Sequence, residues 1–284
     1  MGNEYLRKLN SMTKYPPIET FHELGERGML NNVLTRSGLK FAGRTGYSAT
    51  EKIDGTNARG ILMRLPRRSL SRPIDWFLGS RDQLLTARGD RIPNPTEGIV
   101  EHLSLTVETI SCKGWADNAF GFGHEVTLLV VYWELYGGNI VGGGGAKNYS
   151  CDGSVGLRVL DMRMMTQHEY MAAMEMSVDE IALKRERGVL PGRWLTDEER
   201  LGLCMQLGLE TVPLLFSDTP IPEDVHGVYE WLALVAGEKT HAVIGTNEPG
   251  RPEGIVVRLP DRSAIAKFKF TEYERYERTL KIKP

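Results

Sequence analysis

The heptapeptide Glu51-Lys52-Ile53-Asp54-Gly55-Thr56-Asn57 holds the side chains of this chain best suited to covalent chemistry. Lys52 is one residue removed from Asp54-Gly55 and is flanked by small polar residues. A lysine attacks through its neutral amine. At an ordinary pKa of about 10.4, only about one side chain in 2,500 is neutral at pH 7. Partial burial and nearby cations can bring the pKa close to neutrality, which takes about 4 kcal/mol of differential interaction. Lys267 and Lys269 offer such cations. In a strand they share one face, because side chains alternate with period two, and Ala264, Ala266, Phe268 and Phe270 take the opposite, apolar face. Alone, this pattern is an ordinary strand with two lysines on its solvated side.

Two acids lie at strand ends. Glu134 closes the run Val130-Val131-Tyr132-Trp133-Glu134, and Glu253 opens Glu253-Gly254-Ile255-Val256-Val257. A carboxylate at the mouth of a buried strand can accept a ribose hydroxyl or hold Mg²⁺. It can equally be a satisfied strand-end charge. Arg81, in Gly79-Ser80-Arg81-Asp82, is either a surface arginine or a planar fork for a phosphate. The tract Gly142-Gly143-Gly144-Gly145-Ala146-Lys147-Asn148 is not a phosphate loop. That motif needs Gly-Lys-Ser/Thr, and here Ala precedes the lysine and Asn follows it. The tract reads as a flexible loop able to lie over a site.

Elements must position these groups. A strand is expected to end near Lys52, with others around 60–65 and 75–80. Ile99, Leu103, Val107 and Ile110 have helical spacing in the segment from Pro95 to Ser111. Thr127 to Leu135 reads as a buried strand. Residues 19–30 predict a short amphipathic helix with Thr20 as cap. Ser177-x-x-Glu180 and Thr196-x-x-Glu199 are capping boxes, so 162–212 reads as a mainly helical insert. Pro222–Glu238 predicts a further helix. Strands at Gly254–Leu259 and Ser263–Phe270 are joined by a Pro260-Asp261-Arg262 turn. The fold class is α+β with antiparallel features, in one domain.

Composition sets the outer bounds. The chain has 284 residues, 41% hydrophobic and 25% charged, an ordinary globular balance. A net charge of −2 restricts any nucleic-acid surface to a local patch. Cys112, Cys151 and Cys204 are far apart and lack CxxC spacing, which argues against a disulfide framework and a zinc site. The N-terminus lacks an apolar signal core, and no run approaches the ~18 apolar residues of a membrane span. The expectation is a cytoplasmic protein with no membrane partner.

Taken in order, the motifs resemble those of the covalent nucleotidyltransferases, which comprise DNA ligases, RNA ligases and mRNA capping enzymes. Lys52-Ile53-Asp54-Gly55 resembles motif I, Ser80-Arg81 motif Ia, and Tyr132-Trp133-Glu134-Leu135-Tyr136-Gly137 motif III. Val159-Leu160-Asp161 resembles motif IIIa, Glu253-Gly254-Ile255-Val256 motif IV, and Ala266-Lys267-Phe268-Lys269 motif V. The resemblance covers roughly residues 45–270. The Gly-Thr-Asn after Lys52 is most similar to the ATP-dependent RNA ligase 2 class. DNA ligases and capping enzymes usually place an arginine shortly after the glycine, and Arg59 comes slightly too late.

The resemblance implies a nucleotidyltransferase (ATP-grasp-like ligase) domain over 1–284, built on antiparallel sheets with flanking helices and a helical insert at about 162–212, and no C-terminal OB domain. It implies an RNA-repair ligase joining 3′-OH and 5′-phosphate RNA ends through lysyl-AMP and adenylylated RNA. The cofactors implied are ATP and Mg²⁺, with Mn²⁺ as a substitute. Lys52 would be the nucleophile, and Lys267 and Lys269 would hold the α-phosphate. Removing either of these two is expected to reduce lysyl-AMP formation and to move the pH optimum up. Arg81 would meet a phosphate, Glu134 the ribose, and Asn57 the ribose or a phosphate. The main chain at Glu51 and Ile53 would lie beside the adenine, with Leu160 and Val256 on its two faces. Glu253 would bind the metal.

Three departures bear on this. Leu160 stands where an aromatic ring commonly stacks on adenine, which removes the stacking contribution. Arg258 stands where motif IV commonly ends in lysine. The chain also stops 15 residues after Lys269, so end recognition falls to the catalytic domain, the insert or a partner. RNA ends in nicked duplexes or single strands, DNA-containing nicks, and an end-processing kinase or phosphatase are the candidate partners. Alternatives are a DNA ligase, a capping-type enzyme, or a non-catalytic nucleotide- or RNA-binding domain of the same fold.

Overall fold

A computed structural model of the chain describes residues 3–64, 74–87, 90–91, 98–113, 126–138, 140, 149–150, 153–215, 217–245 and 250–282. In chain order the elements are helix α1 (Asn3–Thr13), strands β1 (His22–Leu24), β2 (Leu30–Leu34), β3 (Ser48–Lys52), β4 (Thr56–Arg64), β5 (Ile74–Ser80), β6 (Leu84–Ala87) and β7 (Asp90–Arg91), and helix α2 (Ile99–Cys112). There follow β8 (Val126–Gly137), β9 (Val155–Thr166), α3 (Gln167–Glu175), α4 (Val178–Glu186), β10 (Arg193–Trp194) and α5 (Asp197–Leu207). The chain closes with β11 (Leu214–Leu215), α6 (Val225–Ala236), β12 (Gly254–Arg258), β13 (Ile265–Lys269) and α7 (Phe270–Ile282). Two compact units result, each assembled from three stretches. The first takes Met1–Pro17, Thr56–Leu135 and Leu157–Thr211; the second takes Ile18–Gly55, Tyr136–Gly156 and Val212–Pro284.

The first unit is built on a seven-stranded sheet of order β10-β9-β8-β4-β5-β6-β7. β4 pairs antiparallel with both β5 and β8. Ile99, Leu103, Val107 and Ile110 form the buried stripe of α2, at the spacing that gives a helix one apolar face. Gly60 lets this helix close in, because a Cβ there would stand 2.7 Å from Val107 Cγ2. Ile61, Met63, Phe77, Leu128, Val130 and Tyr132 pack with Leu9 and Met12 of α1 in a separate cluster. The last turn of α1 has no basic residue of its own. Arginines from elsewhere serve it instead: Arg59 donates to Asn10 Oδ1, Arg163 to the Met12 carbonyl at 3.2 Å, and Arg185 to the Ser11 carbonyl. Cationic donors suit this position, since helix C-terminal carbonyls lack partners and carry partial negative charge.

The second unit is built on a four-stranded sheet of order β11-β3-β12-β13, each neighbouring pair antiparallel. Ala49, Ile255, Val257, Ala266 and Phe268 supply its core face, joined by Phe21, Val228, Trp231 and Leu232 and by Phe270 and Tyr273 of α7. Asp224 caps α6 by accepting from the Gly227 amide at 2.8 Å.

Most sequence expectations for single elements hold, with shifts. Of the two expected capping boxes, Thr196 with Glu199 is complete, whereas at Ser177 the hydroxyl accepts from the Glu180 amide but the Glu180 carboxylate pairs with Lys184 at 3.2 Å in place of the return bond. The helical stretch expected from 162 begins only at Gln167, because Met162–Thr166 complete β9. The helix expected at 19–30 is instead the β1–β2 hairpin. The physical cause is Gly25-Glu26-Arg27-Gly28. Arg27 (φ 55°) and Gly28 (φ 69°) adopt left-handed backbone, and the Gly25 amide donates to the Met29 carbonyl at 2.7 Å. Such a turn reverses the chain where a helix would carry on. Thr20, expected as a helix cap, donates to the His22 carbonyl at 2.6 Å. Phe270, expected to end a strand, opens α7. The glycine tract at 142–148, the expected start of the helix near Pro95, and Cys151 lie outside the described residues. Among the described residues no helix is long and apolar enough to cross a membrane.

Candidate active site around Lys52

Strand register builds this site inside the second unit. Lys52 ends β3 and lies opposite Gly254, which lies opposite Lys269. Two residues along, Thr50, Val256 and Lys267 are in line. Directly paired residues project to the same face, so Lys52, Lys267, Lys269 and Val256 share it, while Ile255, Val257, Ala266 and Phe268 fill the core behind. The expected separation of lysines from phenylalanines along 264–270 is therefore present: Ala266 and Phe268 are fully buried and Lys267 and Lys269 are half-buried. Glycine is required at 254, the centre of this row, because the neighbouring strand backbone leaves no room for a side chain. A Cβ there would stand 1.9 Å from the Phe268 carbonyl oxygen.

Glu253 stands at the entrance of β12, its carbonyl accepting the Phe270 amide at 3.1 Å. Its carboxylate joins two cations: Oε2 meets Lys52 Nζ, and Oε1 meets Lys269 Nζ at 2.7 Å. The three side chains are only 15–30% exposed, so solvent screens these pairs less than surface ones. Burial pushes the Glu253 carboxyl up, but the charges and hydrogen bonds of Lys52 and Lys269 outweigh it and hold the pKa below the ordinary value. The mirror argument applies to Lys269. Burial pulls it down, Glu253 more than offsets this, and its ammonium sits above the usual range. Asp54 is pushed up by burial and by the Glu253 charge. Glu272, in the first turn of α7, is pushed up by burial against the pull of Lys269 and Lys267.

The residues flanking Lys52 are fixed. Glu51 points to the core side and is 2% exposed. Its carboxylate accepts from the Thr240 hydroxyl and, at 2.8 Å, from the His241 amide. Ile53 is likewise buried at 2%. The Asp54 amide donates to the Tyr149 phenolic oxygen at 2.8 Å. Val256 is 9% exposed and Arg258 is buried at the far end of the same strand.

The remaining expected residues belong to the first unit. Asn57 and Glu134 are register partners on β4 and β8. Asn57 donates to the Trp133 carbonyl at 3.5 Å, and its buried Oδ1 finds no partner among the described residues. Arg81 is exposed in the turn between β5 and β6. Leu160 is half-buried against the apolar cluster of α1 and β8. Sequence reasoning gave no role to Asp54, Tyr149, Thr240 or Glu272. Asp54 is in the motif itself and Glu272 follows Lys269 by three residues, so both were within reach. Tyr149 and Thr240 have no local signal, because only folding brings them to Lys52. Among the described residues no group of three or more His, Cys, Asp or Glu side chains is placed to hold a metal ion.

A lysine, a bridging glutamate and a second lysine on one sheet face, behind a Lys-Ile-Asp-Gly turn, form a compact charge cluster suited to an anionic ligand. The model of the RNA ligase family matches residues 46–271, nearly all of the segment that carries these groups. The chain belongs to the RNA ligase family. No curated protein matches it in sequence. Among solved structures, a mutant of the Naegleria gruberi RNA ligase with ATP and Mn is similar at 14% identity and a TM-score of 0.50, over 94% of this chain and 63% of that one. The Naegleria gruberi RNA ligase with PPi is similar at 14% identity and a TM-score of 0.49, over 93% and 64%. The first of these likenesses supports a common fold, with antiparallel sheets flanked by helices. The chain spans less than two thirds of the length of these solved ligases.

Proposed function

We propose that this member of the RNA ligase family is an ATP-dependent RNA ligase of the RNA ligase 2 type. In that reading Lys52 Nζ attacks the α-phosphorus of ATP, a lysyl-AMP bond forms and pyrophosphate leaves. AMP passes to the 5′-phosphate of an RNA end, and a 3′-hydroxyl displaces it to join the strands. The observation that carries the reading is Glu253 bridging Lys52 and Lys269 on one sheet face, in a chain whose family is RNA ligase.

The chain's own residues define the work of the first step. Lys52 must release Glu253 and lose a proton before it can attack. Lys269 and Lys267 are fixed cations on the same face, available to the phosphate oxygens that gain charge during transfer. The carboxylates present fit Mg²⁺, or Mn²⁺ in its place. Such ions are commonly held by one or two carboxylates together with substrate phosphates, not by an all-protein cage, and Glu253 and Asp54 supply that number. Glu253 would hold the ion, which would supply charge stabilisation at the phosphate and compete with Lys52 for the carboxylate. The main chain at Glu51 and Ile53 and the side chain of Val256 take the adenine roles that the resemblance implies. Asn57, Arg81, Glu134 and Leu160 keep theirs too, each open to a separate mutational test. RNA ends are the proposed substrate, and an end-processing kinase or phosphatase the proposed partner.

The deciding experiment incubates the protein with a divalent metal and α-labelled ATP, GTP or NAD⁺, beside Lys52→Ala. Label from ATP alone, lost in the variant, supports the reading and leads to ligation assays on nicked RNA and DNA. Label from GTP would redirect it to a capping-type enzyme, and no label from any nucleotide would overturn it.

A further inference from the structure

Lys52 is held on both sides by one piece of chain. On the side of Glu51, the buried carboxylate accepts from the Thr240 hydroxyl and the His241 amide. On the other side, the Asp54 amide donates to the Tyr149 phenol, and the Tyr149 carbonyl accepts the Ile244 amide at 2.9 Å. Residues 240–244 therefore hold both flanks of the nucleophile, directly through Glu51 and indirectly through Tyr149.

The segment is itself constrained. The Thr240 amide donates to the Gly250 carbonyl at 2.7 Å, and its hydroxyl also accepts from the Ala242 amide at 3.0 Å. The ring of Tyr149 is fully buried and meets Tyr136 edge-on at 5.1 Å. Gly137 (φ 78°) permits the close approach, since a Cβ there would stand 2.8 Å from Ile244 Cδ1. A core needing only apolar packing would be served by phenylalanine at 149 and valine at 240. Instead each side-chain oxygen meets the chain beside Lys52, that of Tyr149 at the Asp54 amide and that of Thr240 at the Glu51 carboxylate. An unpaired buried carboxylate or amide is costly, so losing either partner should let the turn around Lys52 shift.

We propose that Tyr149 and Thr240 are positioning residues that, through the 240–244 segment, fix the pose of Lys52 for attack on the nucleotide. This inference rests on the adenylylation reading above. A displacement of about 1 Å at a reacting group can cost about a hundredfold in rate.

The test is single-turnover adenylylation at saturating ATP, in which the amplitude reports the folded, competent fraction and the rate constant reports the pose. Tyr149→Phe keeps the ring and loses the acceptor. It is expected to lower the rate constant at least tenfold, with amplitude and ATP dependence near those of the wild type. Thr240→Val is expected to do the same and Thr240→Ser to restore the rate. If Tyr149→Phe fails to fold, the Thr240 pair decides on the same readout. Wild-type rate constants in these variants, with any loss confined to amplitude, would overturn the proposal and leave adenylylation intact. A wild-type protein that takes no AMP would instead sink the adenylylation reading itself, and this inference with it.

Discussion

Glu253 is the residue on which the site's charge balance turns. Its folded pKa lies below the ordinary carboxylate value, so its contribution to stability is present above that value and is lost as pH falls through the folded pKa. Lys269 is shifted upward, so its contribution is present at neutral pH and is lost only as pH rises past the ordinary lysine value. Glu253→Gln removes both. At neutral pH it should cost about 1–2 kcal/mol, less than a fully buried pair because water reaches part of this one. Thermal melts from pH 3 to pH 7 should show a shallower acid limb in the variant than in the wild type. Parallel limbs would mean that Glu253 does not titrate as its two lysines require. Asp54 and Glu272, both shifted upward mainly by burial, act in the opposite sense, and the variant loses only the smaller part of each shift that the Glu253 charge supplies. At this scale much was legible. Lys52, Glu253, Lys267 and Lys269 could be marked from residue type and the alternation of 264–270. The bridging of Lys52 to Lys269 by Glu253 could not, because it depends on the three-strand register around Gly254.

Elements follow local signals more closely than sites do. Ser177 and Thr196 announced their helices, and Thr166 with Glu169 forms an equally complete box that the same pattern, Thr-x-x-Glu, would have revealed. Thr166→Ala should cost about 1 kcal/mol, measurable in urea melts. The 19–30 segment was misread because its apolar spacing suits a helix while Gly25 and Gly28 demand a turn. Two glycines make opposite predictions. Gly254→Ala drives a Cβ to 1.9 Å from the Phe268 carbonyl, forcing β12 and β13 apart, and should cost more than about 2 kcal/mol together with adenylylation. Gly202, inside α5, has open space where a Cβ would stand, with nothing within 4 Å of it. Gly202→Ala should therefore stabilise by about 0.5–1 kcal/mol and leave adenylylation unchanged.

For the whole molecule, the division into two units was not legible, and the reason is connectivity. Each unit draws on three separated stretches, so the chain changes unit at points such as Gly55-Thr56, between neighbouring strands, with no linker composition to mark them. Periodicity shows that a strand exists; it does not say which sheet receives it. If ATP binds the folded chain, mass action adds about 2.7 kcal/mol at a hundredfold excess over Kd. ATP with Mg²⁺ should then raise the melting temperature by several degrees and GTP should not; equal shifts with both would remove the proposed nucleotide preference.

Transfer of AMP from ATP to Lys52, as proposed above, is read out by peptide mapping with mass spectrometry after incubation with ATP and Mg²⁺. The expected result is AMP on Lys52 in the wild type and no AMP on the protein in Lys52→Ala. An unmodified protein, or AMP on another residue that survives Lys52→Ala, would contradict it.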